Sequence, residues 1–322
     1  MRKINYIAEL CQNHLGKFDN IKKMTEKCVE NGATTIKLQS IYTKNLSFRP
    51  EFENGIKINN KVYRIKRPYE DEYKRLKKLE ISLKDFEKFI KLCDKLNVEP
   101  SVTCFSRNDI KNLKSVGFKT IKVASYDCAS FKFLKELKNN FNNLIISTGA
   151  TYDNEILKAS EIVKNNFIFL HCVTIYPTPI NEMHLNRINF LKNKFGKAGF
   201  SDHSLGFGKF KNIASKLAIY KGASVIERHI TILDKEKTKD GPVSIHPEDI
   251  REIITFSKLS KDDQKYYLKE KYNINIKKSF GLSKRILSYK EILNRDYYRG
   301  RFSSYDKKTK RMIYNWEEVE IN

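Results

Sequence analysis

Short apolar, β-branched runs recur along the first 230 residues, separated by longer stretches with apolar side chains at i, i+3, i+4 spacing. The runs are 4–10 (INYIAEL), 34–39, 98–104, 120–125, 144–149 (LIISTG), 167–172 (FIFLHC), 197–202 and 224–230. Stretches such as NIKKMTEKCVENG, SLKDFEKFIKLCDKL and NEILKASEIVKNN read as helices, and several stop at Asn-Gly, Leu-Asn or Val-Gly. Eight strand–helix units are the count of a (β/α)8 TIM barrel, whose strands are buried on both faces and so read as near-continuous apolar runs. A doubly wound open sheet is the rival, but its glycine fingerprint after the first strand is missing. The chain is therefore expected to form a barrel over residues 1–258 with a short C-terminal extension over 259–322.

Two stretches break the alternation. Residues 40–72 are polar, aromatic and longer than an ordinary βα loop. After strand two of a barrel such an insert lies on the catalytic face, as a substrate lid or as an unstructured surface loop. The tail beyond 258 holds one short helical stretch and then RDYYRGRFSSYD, and it is too short for a second independent domain. It is expected to pack against the barrel or a partner subunit.

Composition narrows the class. With 322 residues, 40% of them apolar, the chain can build a sizeable core, and no run reaches the roughly 18–20 apolar residues of a membrane span. The start leads into an apolar run with no small-residue cleavage site, so no signal peptide is expected. The six cysteines form no CxxC pair and read as reduced, mostly buried thiols of a cytoplasmic protein. The formal charge of +24 is spread over every predicted helix rather than gathered in arms or aromatic-flanked patches. It reads as a lysine-rich solvated surface, with no nucleic-acid partner and no membrane, and it suits anionic small substrates.

A barrel's chemistry collects at the C-terminal ends of its strands. Here those ends carry Glu9, Gln12, Asn13 and His14; Lys37 and Gln39; Thr103 and Ser106; Lys122, Ser125 and Asp127; Ser147 and Thr148; His171, Thr174 and Tyr176; Ser201, Asp202 and His203; Glu227, Arg228 and His229. Any one of these could be a snorkelling lysine or a core histidine. Eight polar strand ends converging on one mouth are hard to attribute to chance. Lys37 and Lys122, with the hydroxyls of Thr103, Ser125, Ser147 and Ser201, read as a phosphate- and carboxylate-binding surface. A Schiff-base lysine is the competing reading, although it normally needs one desolvated lysine. His203 and His229 end adjacent strands, which suits a divalent metal, Mn²⁺ or Mg²⁺, with open positions.

The motifs IAELCQNHLG (7–16), NGATTIKLQ (31–39), ISTGAT (146–151), LHCVTIYPTP (170–179), GFSDHSLG (199–206) and ASVIERHIT (223–231) resemble the sialic acid (N-acetylneuraminate) synthases and their pseudaminic- and legionaminic-acid relatives. The resemblance spans about residues 4–258. It implies a metal-dependent condensation of phosphoenolpyruvate with an open-chain amino-sugar aldehyde, giving a nine-carbon α-keto acid and phosphate. Carried over by motif, phosphoenolpyruvate contacts fall on Lys37, Thr103, Lys122, Ser125, Ser147 and Ser201, metal ligands on His203 and His229, and sugar contacts on Glu9, Gln39, Tyr176 and Asp240. Thr174 stands where some relatives have Asn and is expected to contact substrate. Glu9, Lys122 and Asp127 are the expected catalytic residues; proton handling and sugar binding are not separated between Glu9 and Asp127. Where relatives commonly have Gly-Ser-Gly-Glu, this chain reads Ala124-Ser125-Tyr126-Asp127. The tail also departs from the family's antifreeze-like domain, whose arginine reaches a partner's active site. Arg299 or Arg301 is the expected substitute, the alternative being an aromatic staple with surface ion pairs. A homodimer is expected. The rivals are a Schiff-base pyruvate aldolase, a synthase using a phosphorylated or differently acylated sugar, and a non-enzymatic polyanion-binding barrel.

Overall fold

Each of the eight apolar runs overlaps a strand. The computed structural model describes residues 4–272, 276–284 and 286–321. Its strands are β1 (Asn5–Glu9), β2 (Thr35–Gln39), β3 (Glu99–Thr103), β4 (Thr120–Val123), β5 (Asn143–Ser147), β6 (Phe167–His171), β7 (Ala198–Asp202) and β8 (Val225–His229). They close into a barrel in the order β1-β8-β7-β6-β5-β4-β3-β2. The helices are α1 (Phe18–Glu30), α2 (Tyr69–Lys77), α3 (Leu83–Lys95), α4 (Ile110–Val116), α5 (Phe131–Asn140) and α6 (Asp153–Val163). They continue as α7 (Asn186–Phe195), α8 (Ile213–Tyr220), α9 (Asp249–Ser257), α10 (Lys261–Tyr272) and α11 (Tyr289–Tyr298). Helix α1 buries Ile21, Met24, Thr25 and Cys28, the i, i+3, i+4, i+7 face its sequence displays. Gly117 ends α4 at φ 113°, a left-handed cap that glycine adopts without steric cost. All six cysteines are free and buried. Among the described residues no helix is long and apolar enough to cross a membrane.

The chain divides into two compact units. The first comprises Met1–Leu38, Phe89–Ser101 and Ile168–Ile286. Within it, register aligns Glu9 with Lys37 on one neighbouring strand and with His229 on the other, and Glu227 with Ser201. Because successive side chains leave a strand on opposite faces, Asp202 and Arg228 project away from Ser201 and Glu227. They form a fully buried ion pair, with Asp202 also accepting from Ser215 Oγ at 2.6 Å. These two charges serve the fold.

The second unit comprises Gln39–Lys88, Val102–Phe167 and Leu287–Asn322. Here the 40–72 insert is folded. It has short turns at Thr43–Asn45 and Pro50–Phe52 and a hairpin of Ile56–Ile58 with Lys61–Arg64, and the segment runs on into α2. The tail adds α11 and a second hairpin, β9 (Ser303–Asp306) with β10 (Arg311–Tyr314). Insert and tail share one apolar cluster of Ile41, Leu46, Leu76, Leu79, Phe105 and Phe302. Leu46 forms a β-bridge with Phe302, and Ser47 N–H donates to Arg301 O at 2.9 Å. Apolar residues too sparse for a core in either segment alone suffice when the two are joined.

Candidate active site at the strand ends

In the first unit the side chains at the ends of β1, β2, β7 and β8 form a buried charged network. Lys37 is ion-paired with Glu9 and lies 3.7 Å from Glu227 Oε2. Glu227 Oε1 accepts from Ser201 Oγ at 2.8 Å, and Glu9 Oε1 accepts from Cys11 N–H at 2.6 Å. All four network side chains, Glu9, Lys37, Ser201 and Glu227, are almost completely buried. Burying charges costs free energy unless they are paired and hydrogen-bonded, and here two carboxylates share one ammonium, which leaves a net negative charge for a substrate or cation to meet. Sequence places Glu227 at a strand end but gives it no role; the register that sets it level with Ser201 on the adjacent strand supplies one.

His203 follows β7 and His229 ends β8, with ring centroids 5.4 Å apart. His203 Nδ1 donates to Val173 O at 3.1 Å, and its Nε2 lies 3.4 Å from Ser201 Oγ. Tyr176, 43% exposed, packs its ring 4.6 Å from that of His203. Thr174 is buried two residues earlier. Asp240, expected at the sugar, has Oδ2 2.8 Å from Cys11 Sγ. Donor atoms of Cys11, His229 and Asp240 lie within 4.8 Å of one another. Sequence reasoning counted Cys11 only as a buried thiol; its place two residues after Glu9 was the available signal. His14 is buried, which lowers its pKa to about 4 and keeps it neutral. His171 bonds Met183 O at 2.7 Å and serves the fold.

In the second unit Lys122 donates to Ser147 Oγ at 2.6 Å and to Val123 O at 3.1 Å. Ser125 Oγ accepts from Gly149 N–H at 3.2 Å, so the loops after β4 and β5 are joined through it. Thr103 and Ser147 are buried, and Gln39 is half-buried. Asp127 accepts from Ser130 Oγ at 2.8 Å and from Asn315 Nδ2 of the tail at 3.1 Å. Burial raises its pKa to about 6. Tyr126 stacks on Tyr298 of the tail at 5.6 Å and on Phe105 at 6.4 Å, and Phe105 stacks on Phe302.

The two tail arginines differ. Arg301 is buried, ion-paired with Glu72 of α2 and flanked by the Tyr298 and Phe302 rings. Arg299 is half-buried over Trp316 at 4.9 Å, near the carboxylates of Glu155 and Asp127. Arg295, which sequence reasoning passed over, grips Glu155 through both terminal nitrogens and donates to Ala150 O at 2.6 Å, in the loop after β5.

The NeuB family model matches residues 24–264. The chain is 29% identical over 315 aligned residues to an N,N'-diacetyllegionaminic acid synthase of Campylobacter jejuni, with 91% of this chain and 89% of that protein covered. It is 30% identical to a pseudaminic acid synthase of C. jejuni, covering 79% and 72% respectively. Among solved structures, an N-acetylneuraminic acid synthetase of Leptospira borgpetersenii in complex with citrate superposes with a TM-score of 0.67 at 25% identity, covering 92% of this chain and 91% of that one.

Proposed function

The chain belongs to the NeuB family, whose matched members are sialic-acid-type synthases, and on that premise we propose that it condenses phosphoenolpyruvate with the aldehyde of an N-acylated hexosamine such as N-acetylmannosamine. The observation that carries the reading is the buried Lys37 held between Glu9 and Glu227 beside Ser201 at the strand ends. Such a network is costly for folding and useful for charged chemistry.

In this reading the lysines among Lys37, Thr103, Lys122, Ser125, Ser147 and Ser201 neutralise the phosphate and carboxylate of phosphoenolpyruvate, and the hydroxyls donate hydrogen bonds to them. Its C3 forms a bond to the aldehyde carbon, whose oxygen takes up a proton. Water adds at C2, the C2–O bond to phosphorus breaks, and phosphate leaves. Glu9, ionised beside Lys37, holds the proton lost by that water. Asp127 is assigned instead to anchoring the tail, since Ser130 and Asn315 already engage it. Gln39, Thr174 and Tyr176 are assigned to the sugar side, and Asp240, expected there from sequence, lies instead against Cys11 Sγ. The residues present suit a divalent cation, because the imidazoles of His203 and His229 lie side by side with ring centroids 5.4 Å apart and His203 Nδ1 is oriented by Val173 O. When bound, that cation supplies Lewis-acid polarisation of the aldehyde carbonyl. Residues 1–258 would carry the synthase, residues 259–322 would be an accessory extension, and the assembly would be a cytoplasmic homodimer.

Phosphate release tests the reading, measured with phosphoenolpyruvate against a panel of N-acyl hexosamines, their phosphates and neutral hexoses. Release with an N-acylated sugar and its loss on chelation are expected. Chelator-resistant turnover of free pyruvate, with trapping of a lysine adduct by borohydride, would establish the aldolase instead.

A further inference from the structure

Three donors of different chemistry meet in the first unit. Cys11 lies in the loop after β1, His229 ends β8, and Asp240 lies in the loop that follows. The thiol sulfur is 2.8 Å from Asp240 Oδ2, and all three donor atoms lie within 4.8 Å of one another. We propose that Cys11, His229 and Asp240 form a divalent-cation site in which Cys11 binds as a thiolate, giving the cation sulfur, nitrogen and oxygen ligands rather than imidazoles alone. The inference rests on the synthase reading for what the cation does, though not for whether it binds.

The surrounding structure fixes these loops. Asn13 Nδ2 donates to Ile230 O at 2.7 Å and to Ser244 Oγ at 2.9 Å, and Ser244 Oγ donates to Asp240 O at 2.7 Å. One side chain thus ties the Cys11 loop to the end of β8 and to the Asp240 loop. The Asp240 loop itself needs close backbone approach: a Cβ on Gly241 would collide with Lys235 O, and one on Gly206 with Ser244 O. Rigid placement of ligands by their supporting groups is what a metal centre requires. A thiolate among the ligands shifts preference toward Zn²⁺, Co²⁺ and Fe²⁺ and away from Mg²⁺, which favours oxygen. Among the described residues, Cys11 is the cysteine whose sulfur meets a histidine and a carboxylate in such a group.

Chelator-stripped full-length protein titrated with Co²⁺ alone tests the assignment by electronic absorption. Expected is an intense near-ultraviolet sulfur-to-cobalt charge-transfer band saturating at about one equivalent. Cys11→Ser should lose the band, Asp240→Asn should weaken Co²⁺ binding by roughly 10–100-fold, and Cys93→Ala should change neither. No band in the wild type, or an unchanged band in Cys11→Ser, overturns the proposal. Should Cys11→Ser fail to fold, cadmium NMR of the wild type decides: a resonance displaced downfield by sulfur supports the site, and one in the nitrogen–oxygen range refutes it. Phosphate release by the same wild-type preparation separates the two readings. Release without a sulfur band removes the thiolate ligand alone, whereas a band without release on any sugar of the panel removes the synthase reading alone.

Discussion

Lys37 and Lys122 look alike in sequence, each a lysine within an apolar strand, yet their surroundings differ. Lys37 sits against the carboxylates of Glu9 and Glu227, whereas Lys122 donates to a serine hydroxyl and a backbone carbonyl. Removing one member of a buried ion pair leaves the other charge uncompensated. Lys37→Met should therefore destabilise the fold by about 3–5 kcal/mol, with Glu9→Gln in the same chain recovering part of the loss. Denaturant unfolding reads this, and wild-type stability in Lys37→Met would show that the pair is not buried as described. Asp109 offers a residue-level pH test. It is buried against Asn45, whose Nδ2 donates to both its oxygens at 3.1 and 3.0 Å, and burial raises its pKa from 3.8 to about 7. The folded chain then holds this proton more tightly than the unfolded one. The stability it contributes is present below the unfolded pKa and is lost as pH rises through about 7. Stability measured from pH 5 to 8 should fall, and Asp109→Asn should flatten the slope; an identical slope in the variant would exclude Asp109 as its source.

Among the elements, the loop after β4 and the tail explain one another. The family's motif is not kept at Tyr126-Asp127, and the structure joins that place to the tail: Tyr126 stacks on Tyr298, and Asp127 accepts from Asn315. The phenol and the shorter carboxylate are docking groups for this tail. Tyr126→Gly should then loosen α11 and the β9–β10 hairpin while the barrel stays folded, seen as faster amide exchange over 289–314 and unchanged exchange in β1 and β8. Phe302 is buried in the cluster shared by insert and tail, so Phe302→Ala should cost about 3–5 kcal/mol through the cavity it leaves. A cost below about 1 kcal/mol would mean that the tail is only loosely applied. None of this pairing was legible beforehand. Aromatic residues at 298 and 302 announce that something is stacked, but choosing partners nearly 200 positions away requires the folded backbone.

At the scale of the whole molecule the formal charge of +24 dominates. Most of the described lysines are exposed, on helices and loops alike, so the folded chain repels itself more than the expanded one does. Raising ionic strength from about 0.01 to about 0.15 M shortens the screening length from about 30 to about 8 Å. The melting temperature should rise accordingly, and a fall would mean that surface ion pairs outweigh the repulsion. The sequence by itself determined the barrel, because strand and helix periodicities are local patterns and eight strand–helix repeats leave few topologies in which every apolar face is buried. It also marked the strand ends as the place for chemistry, since polar residues closing apolar runs are visible without coordinates. Only the tertiary structure decided which of those polar groups act together. It turned Asp202 and Arg228 away from Glu227 and Ser201, brought Cys11 to Asp240, and committed Arg301 to Glu72. The physical reason is range: pattern depends on neighbours within a turn or two, whereas a pairing between residues 229 positions apart depends on how closed strands and packed loops bring distant chain into contact.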